Sequence, residues 1–395
     1  MPSRYARHWT LSPNITFLNH GSYGACPKDV LDYQQTLRQT IEEQPVQFFM
    51  RDIYDRIDEA RARLAAFIQA RPRDLVFIRN TTEGVNAIIR SFGLKPGDEI
   101  LVTNHGYNAC KNIVDFVAQK TGAQVVTAEF GFEGINPTTV IETILDSISS
   151  KTRLAILDHV TSPTGLVLPV EQLSEMLEAS GVRVLVDGAH GPGMLDLSIG
   201  DLAASWYVGN LHKWVCAPKG AAFMWIREDV QSTTRPAVIS HGFGLNADDL
   251  GRPWHHLEFD WIGTHDPTAW LSVPKAIDVL DDMVDGGWDV IRCRNRMLAL
   301  EAQELLSTTL GLEKPVPDSM IGHLAAVRLP SSTRPISPLF GTEYQRTLLE
   351  QFGIEVPVIP WPNSSDRLLR ISAALHNDSD DYIVLADAIK KALPC

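Results

Sequence analysis

The chain has 395 residues, 44% of them hydrophobic, and 35 Lys and Arg against 48 Asp and Glu give a formal charge of −13. That length and apolar content suffice for a sizeable core in two domains. The acidic balance, with no run of Lys or Arg, argues against a nucleic-acid or acidic-membrane partner. The five cysteines, Cys26, Cys110, Cys216, Cys293 and Cys395, are scattered, odd in number and free of C-x-x-C spacing. They point to neither a disulfide framework nor a metal site. Residues 1–9 lack the apolar core of a signal peptide and no apolar stretch is long enough to span a bilayer, so a reducing, cytoplasmic setting is expected.

Residues 1–25 read as an irregular arm that ends in Asn19-His20-Gly21-Ser22-Tyr23-Gly24, a loop whose glycines allow close approach to a ligand, although an ordinary turn would have the same composition. Pro27 opens a helix. Gln47-Phe48-Phe49-Met50-Arg51 forms an apolar knot, with Arg51 a surface or capping charge. Ile53, Ile57, Ala60, Leu64, Phe67 and Ile68 then recur at helical spacing. Leu75-Val76-Phe77-Ile78 is a strand. It leads through Asn80-Thr81-Thr82-Glu83-Gly84 into a helix, where free N–H groups, the positive helix end and two hydroxyls suit a phosphate. A plain cap by Thr81 or Thr82 would look the same.

Glu99-Ile100-Leu101-Val102-Thr103 is the next strand, and it delivers Asn104-His105-Gly106-Tyr107-Asn108 to the same edge, where an aromatic ring could lie against a flat ligand. Gln124-Val125-Val126-Thr127-Ala128 and Arg153-Leu154-Ala155-Ile156-Leu157-Asp158 continue the strand pattern, with helical spacing near 137–149 and 170–180. Val182-Arg183-Val184-Leu185-Val186-Asp187 and Trp206-Tyr207-Val208 are short apolar runs with the length and β-branched content of buried parallel strands. Ala221-Ala222-Phe223-Met224-Trp225-Ile226 returns antiparallel. The alternation from 75 to about 226 predicts a mostly parallel, doubly wound sheet. The absence of G-x-G-x-x-G after a first strand counts against a dinucleotide site. Helices are expected near 269–285 and 288–309, and strands near 323–329 and 353–358. Asp366-Arg367-Leu368-Leu369-Arg370-Ile371-Ser372 then precedes a last helix. The predicted units are an arm (1–25), a large domain (26–269) and a small C-terminal domain (270–395).

In open α/β sheets ligands bind outside the carboxyl ends of the strands. Asp187-Gly188-Ala189-His190 and Gly209-Asn210-Leu211-His212-Lys213-Trp214 therefore bring an aspartate and a lysine to one crevice. That pair is what pyridoxal 5'-phosphate (PLP) chemistry needs: an amine for the Schiff base, and a carboxylate that keeps the pyridine nitrogen protonated. Lys219, in a Pro-Lys-Gly turn, is the competing lysine, for which an exposed role suffices.

Taken in this order and spacing, these motifs and Arg370-Ile371-Ser372 resemble the class V aminotransferase family of PLP enzymes, over nearly the whole chain. The run from Gly209 to Gly220 looks most like its isopenicillin N epimerase-like branch, which also holds C–S lyases acting on cysteine conjugates. The resemblance implies PLP fold type I: an α/β large domain with a mostly parallel seven-stranded sheet and a smaller α+β C-terminal domain. It implies Lys213 as Schiff-base lysine and Cα base, Asp187 on the pyridine nitrogen and His190 on the ring oxygen. Thr81, Thr82 and His212 would hold the phosphate, Thr264 would reach the phosphate of a neighbouring subunit in a homodimer with shared sites, and His105 or Tyr107 would stack on the ring. Arg370 would clamp the carboxylate of a small amino-acid substrate, with Asn19, His20 and Gly21 lining the pocket. Cysteine desulfurases of the family carry a nucleophilic cysteine on a loop before that arginine. Residues 330–340 here contain none.

The motifs leave the outcome at Cα open. Epimerisation needs a second acid, for which His20, Tyr23, His105 and Tyr107 are candidates. β-Elimination from a cysteine conjugate or sulfoxide needs a good leaving group, and transamination needs protonation on the cofactor. A non-catalytic scaffold on this fold would be favoured if Lys213, Asp187 or Arg370 were missing, and all three are present.

Overall fold

The computed structural model describes residues 3–245, 251–331 and 342–392. Twelve strands are described among them: β1 (Thr16–Phe17), β2 (Leu75–Ile78), β3 (Glu99–Thr103), β4 (Gln124–Ala128), β5 (Thr152–Asp158), β6 (Arg183–Asp187), β7 (Trp206–Asn210), β8 (Ala222–Ile226), β9 (Leu324–Leu329), β10 (Ile354–Glu355), β11 (Val358–Pro360) and β12 (Arg367–Ser372). The large sheet has seven strands in the order β2-β8-β7-β6-β5-β3-β4. Its pairs are parallel except where β8 meets β2 and β7. This is PLP fold type I, with a separate three-stranded antiparallel sheet, β11-β12-β9, built from residues after 323.

Alternate side chains explain why the central strands read as unbroken apolar runs. Val184 and Val186 of β6 join one hydrophobic core with Ala155 and Leu157 of β5. Leu185, Leu154 and Ile156 join a second core on the opposite face. Helices cover both faces, so each residue of the strand removes apolar surface from water. β2, β3, β5, β6 and β7 end at one edge, where Asp158, Asp187 and Asn210 close their strands and Asn104 and Asn80–Thr81 follow β3 and β2.

Several expectations change in detail. Residues 19–24 are not an open loop: His20–Tyr23 forms one helical turn. The arm is tied down by β1, which pairs in parallel with β10. The apolar knot is a π-helical turn, Phe48–Asp52. Pro27 is the N-cap of the helix Lys28–Glu43 rather than its first residue. The segment around Arg370 is a strand, β12, the middle of the small sheet. Among the described residues no helix is long and apolar enough to cross a membrane.

The arm closes on the lysine turn at Gly24. Its φ is +71°, and a Cβ there would lie 1.9 Å from the His212 carbonyl oxygen and 3.0 Å from the Lys213 Cα. Neither the dihedral nor the backbone neighbour leaves room for a side chain. Gly24→Ala is expected to destabilise the fold by about 2–4 kcal/mol, read as a lower urea midpoint at unchanged slope. A midpoint equal to that of the parent protein would show that the arm does not seat against this turn.

Candidate active site

Asp187 ends β6 and is buried. Its Oδ1 accepts the Ala189 N–H at 3.0 Å, and its Oδ2 accepts the Cys110 thiol at 3.2 Å. Burial pushes its carboxyl upward, while the two donors and nearby Lys213 oppose that rise. Asp158 is its register partner on β5, and burial together with the Asp187 charge pushes Asp158 well above the usual carboxylate range. Gly188 lets the chain turn away: a Cβ there would lie 2.1–2.2 Å from the Tyr207 ring. The turn then presents His190, whose Nε2 lies 3.1 Å from the Lys213 Nζ. The Trp214 indole N–H donates to His190 Nδ1 at 3.3 Å. Burial, then Lys213, Arg370 and His212, hold the His190 imidazole well below its ordinary range, so it is neutral.

Lys213 sits in the turn after β7. Burial and the Arg370 charge lower its amine to about 7, against the opposing pull of Asp187. Its backbone carbonyl takes two hydrogen bonds, from the Cys216 amide at 3.0 Å and from His20 Nε2 at 2.9 Å. His20 is fully engaged: its Nδ1 meets His376 Nε2 at 3.1 Å. Both histidines are buried, and burial lowers His20 to about 4. Lys219 is exposed and donates to the Gly24 carbonyl at 3.0 Å.

At the neighbouring strand end Asn80, rather than Thr81 or Thr82, caps the helix Thr81–Ser91, accepting the Glu83 N–H at 2.9 Å. Asn210, at the end of β7, accepts the Thr81 N–H at 3.1 Å and donates to its hydroxyl at 3.3 Å. The Thr82 amide and hydroxyl donate to no group among the described residues. His212 donates from Nδ1 to the Ala221 carbonyl at 3.1 Å, and burial and Lys213 lower it to about 4.

The two aromatic candidates part company. His105 is 0% exposed, bonded to the Thr164 hydroxyl at 2.8 Å and the Phe130 carbonyl at 3.0 Å, and stacked on Phe130 with ring centres 4.3 Å apart. Tyr107 is 45% exposed, and its phenol, raised chiefly by burial, feels Cys110, Tyr23, Asp187 and Arg370. Tyr107 therefore shares the crevice with the acid and the guanidinium.

Arg370 is 3% exposed, and burial lowers it to about 10. It donates to the Ser162 carbonyl and to the Ser22 hydroxyl, the latter at 3.1 Å, and its Nε is buried without a partner. No carboxylate pairs with it among the described residues. A buried guanidinium without a counter-charge is costly unless an anion arrives. Asn19 donates to Glu355 at 3.2 Å, and the Gly21 amide donates to Ser372 at 2.9 Å. Thr264 is exposed. Arg51 is exposed and bonds Gln47.

These residues fit PLP: an amine lowered toward neutrality, a carboxylate with a lone pair to spare, and an open helix N-terminus at a neighbouring strand end. The contributions of Cys110, Asn210, Trp214, Ser22 and Ser162 were not anticipated. Only Asn210 and Trp214 had a signal, as neighbours of the lysine motif.

The family model "Aminotransferase class-V" matches residues 25–321. Isopenicillin N epimerase of Amycolatopsis lactamdurans is 34% identical over 394 residues, covering 97% of this chain and 96% of that protein. A probable chloroplastic L-cysteine desulfhydrase of Arabidopsis thaliana is 28% identical, covering 98% and 84%. The solved complex of the cystine C-S lyase C-DES with cysteine persulfide superimposes with a TM-score of 0.80 at 22% identity, covering 97% and 99%.

Asn210→Ala removes both bonds that fix Thr81. Two neutral hydrogen bonds correspond to about 1–3 kcal/mol, so PLP affinity is expected to fall about tenfold while the far-ultraviolet circular dichroism is kept. Unchanged affinity in an absorbance titration would detach Thr81 from the phosphate.

Proposed function

The chain belongs to the class V aminotransferase family of PLP-dependent enzymes, and from that premise we propose that it epimerises an amino acid at Cα. One observation carries the site reading: the buried Arg370 guanidinium, without a carboxylate partner among the described residues, faces the crevice that holds Lys213 and Asp187. A substrate carboxylate would supply the missing charge and hydrogen-bond acceptors, with Ser22 and Ser162 holding the fork in place.

Bound PLP supplies an electron-accepting ring conjugated to the substrate's Cα. The protein's own groups do the rest. Asp187 holds the proton on the ring nitrogen, steadied by Ala189 and Cys110. His190 donates toward the ring oxygen. Thr81, Thr82, His212 and the helix end would hold the phosphate. Lys213, with its amine lowered to about 7, removes the Cα proton. Tyr107, exposed to the crevice where His105 is not, is the aromatic residue that would stack on the ring. Kept protonated by its surroundings, it is the group that would return a proton to Cα. His20 and His105, with both ring nitrogens engaged, take no part in that transfer.

β-Elimination is the second reading, favoured by the desulfhydrase among the relatives. It needs no opposite proton at Cα: the same abstraction expels a thiolate, and water then completes pyruvate and ammonia. Persulfide-forming desulfuration is disfavoured because residues 330–340 hold no cysteine. Most of that segment lies outside the described residues. We infer a homodimer, in which Thr264 meets the neighbouring site and the exposed Val46, Met50, Ile239 and Phe243 are covered.

Incubation of the PLP-loaded protein with single L-amino acids and cysteine conjugates, followed by chiral chromatography, tests the reading. The D-isomer without keto acid is expected. Released thiol with pyruvate would replace epimerisation with elimination, and pyridoxamine with keto acid would replace both with transamination. Lys213→Ala should lose about 10³-fold or more in rate. Tyr107→Phe should keep exchange of the Cα proton with solvent while losing D-product. Arg370→Gln should raise KM about 100-fold, the worth of a charge-assisted pair, and an unaltered KM would remove Arg370 from the substrate.

A further inference from the structure

His190 has two neighbours that settle where its proton sits. The Trp214 indole nitrogen lies 3.3 Å from His190 Nδ1. An indole N–H can only donate, so Nδ1 must offer its lone pair. The ring is buried and neutral, so its single proton is on Nε2. Nε2 in turn lies 3.1 Å from the Lys213 Nζ. An N–H pointing at an amine is favourable only if the amine supplies its lone pair, and an ammonium has none. The opposite tautomer would offer the ammonium an acceptor, but it would set an N–H against the indole N–H.

We propose that Trp214 is a positioning residue whose indole locks His190 as the Nε2–H tautomer and so withholds from Lys213 the acceptor that its charged form needs. The lock favours the neutral, nucleophilic amine. It acts alongside the other groups that face the pair: Arg370 from β12 and His212 from the lysine turn oppose further positive charge, while Asp187 from β6 and Cys110 from the helix Asn108–Thr121 favour it. Trp214 itself is buried and packs against His20 and His323, with ring centres 5.1 and 5.2 Å away, so its ring cannot swing from the contact without displacing both. The proposal rests on the reading of Lys213 as the PLP-binding amine.

Two measurements on the full-length protein test it. The first is the ¹⁵N spectrum of histidine-labelled protein before PLP is added, with His190 assigned by its loss in His190→Gln. Nε2 protonated and Nδ1 bare is expected, and the reverse overturns the proposal. The second is the rate at which the yellow band grows after PLP is added, followed against pH. It reads the neutral fraction of Lys213. In Trp214→Phe the half-point should rise by about one pH unit, so that well below it capture slows about tenfold, and the Nδ1–H form of His190 should appear. An unchanged half-point and tautomer in a folded Trp214→Phe protein overturns the proposal. If that variant fails to fold, the wild-type ¹⁵N spectrum alone decides. If wild-type protein never turns yellow, the PLP reading fails, while the ¹⁵N spectrum still decides the tautomer.

Discussion

Two cationic side chains, Lys213 and Arg370, share one buried crevice, and the rest of the site answers to that repulsion. Burial, and then the Arg370 charge, lower the Lys213 amine to about 7, while burial alone lowers the Arg370 guanidinium. The amine is the group that can yield, because a guanidinium stays protonated at any ordinary pH. Lys213 is therefore brought near neutrality at the pH where an amine must act as nucleophile and base. The cost of burying Arg370 beside it is borne by the fold, and under the proposed reading a substrate carboxylate would offset it.

The fold meets that cost by making the three participating segments inseparable. Asp187, the last residue of β6, and Lys213, in the turn after β7, come from adjacent parallel strands in the middle of a sheet buried on both faces. Arg370 comes from β12, in a sheet of its own. The arm joins them. Ser22 holds Arg370, Gly24 lies on the backbone of the lysine turn, and His20 bonds both the Lys213 carbonyl and His376, in the turn just after β12. Residues that begin the chain thus set the distance between two cations placed by its middle and its end.

How much of this could be read from the residues depends on how local the cause is. The strand ends carrying Asp187 and Lys213, the antiparallel return of β8 and the helix Thr81–Ser91 after β2 were legible, because each is a short apolar run followed by a turn of fixed chemistry. The choice between His105 and Tyr107 was not. They are two residues apart, and what separates them is a distant pocket: Phe130, Thr164 and Trp361 enclose His105 and leave Tyr107 in the crevice. The resemblance implied His20 as a pocket residue; its bond to His376, 356 residues away, left no local trace. The thiol of Cys110 on Asp187, 77 residues apart, left no local trace either. Motif and period report the backbone's plan, whereas the direction of a side chain between two domains is decided by packing.

The central claim is that Lys213, and no other lysine, holds the cofactor. Borohydride reduction of the PLP-loaded protein, followed by proteolysis and mass spectrometry, tests it most directly. The account predicts a single pyridoxyl modification, on Lys213, with none on Lys219. Modification of Lys219, or of scattered surface lysines with Lys213 untouched, would contradict it.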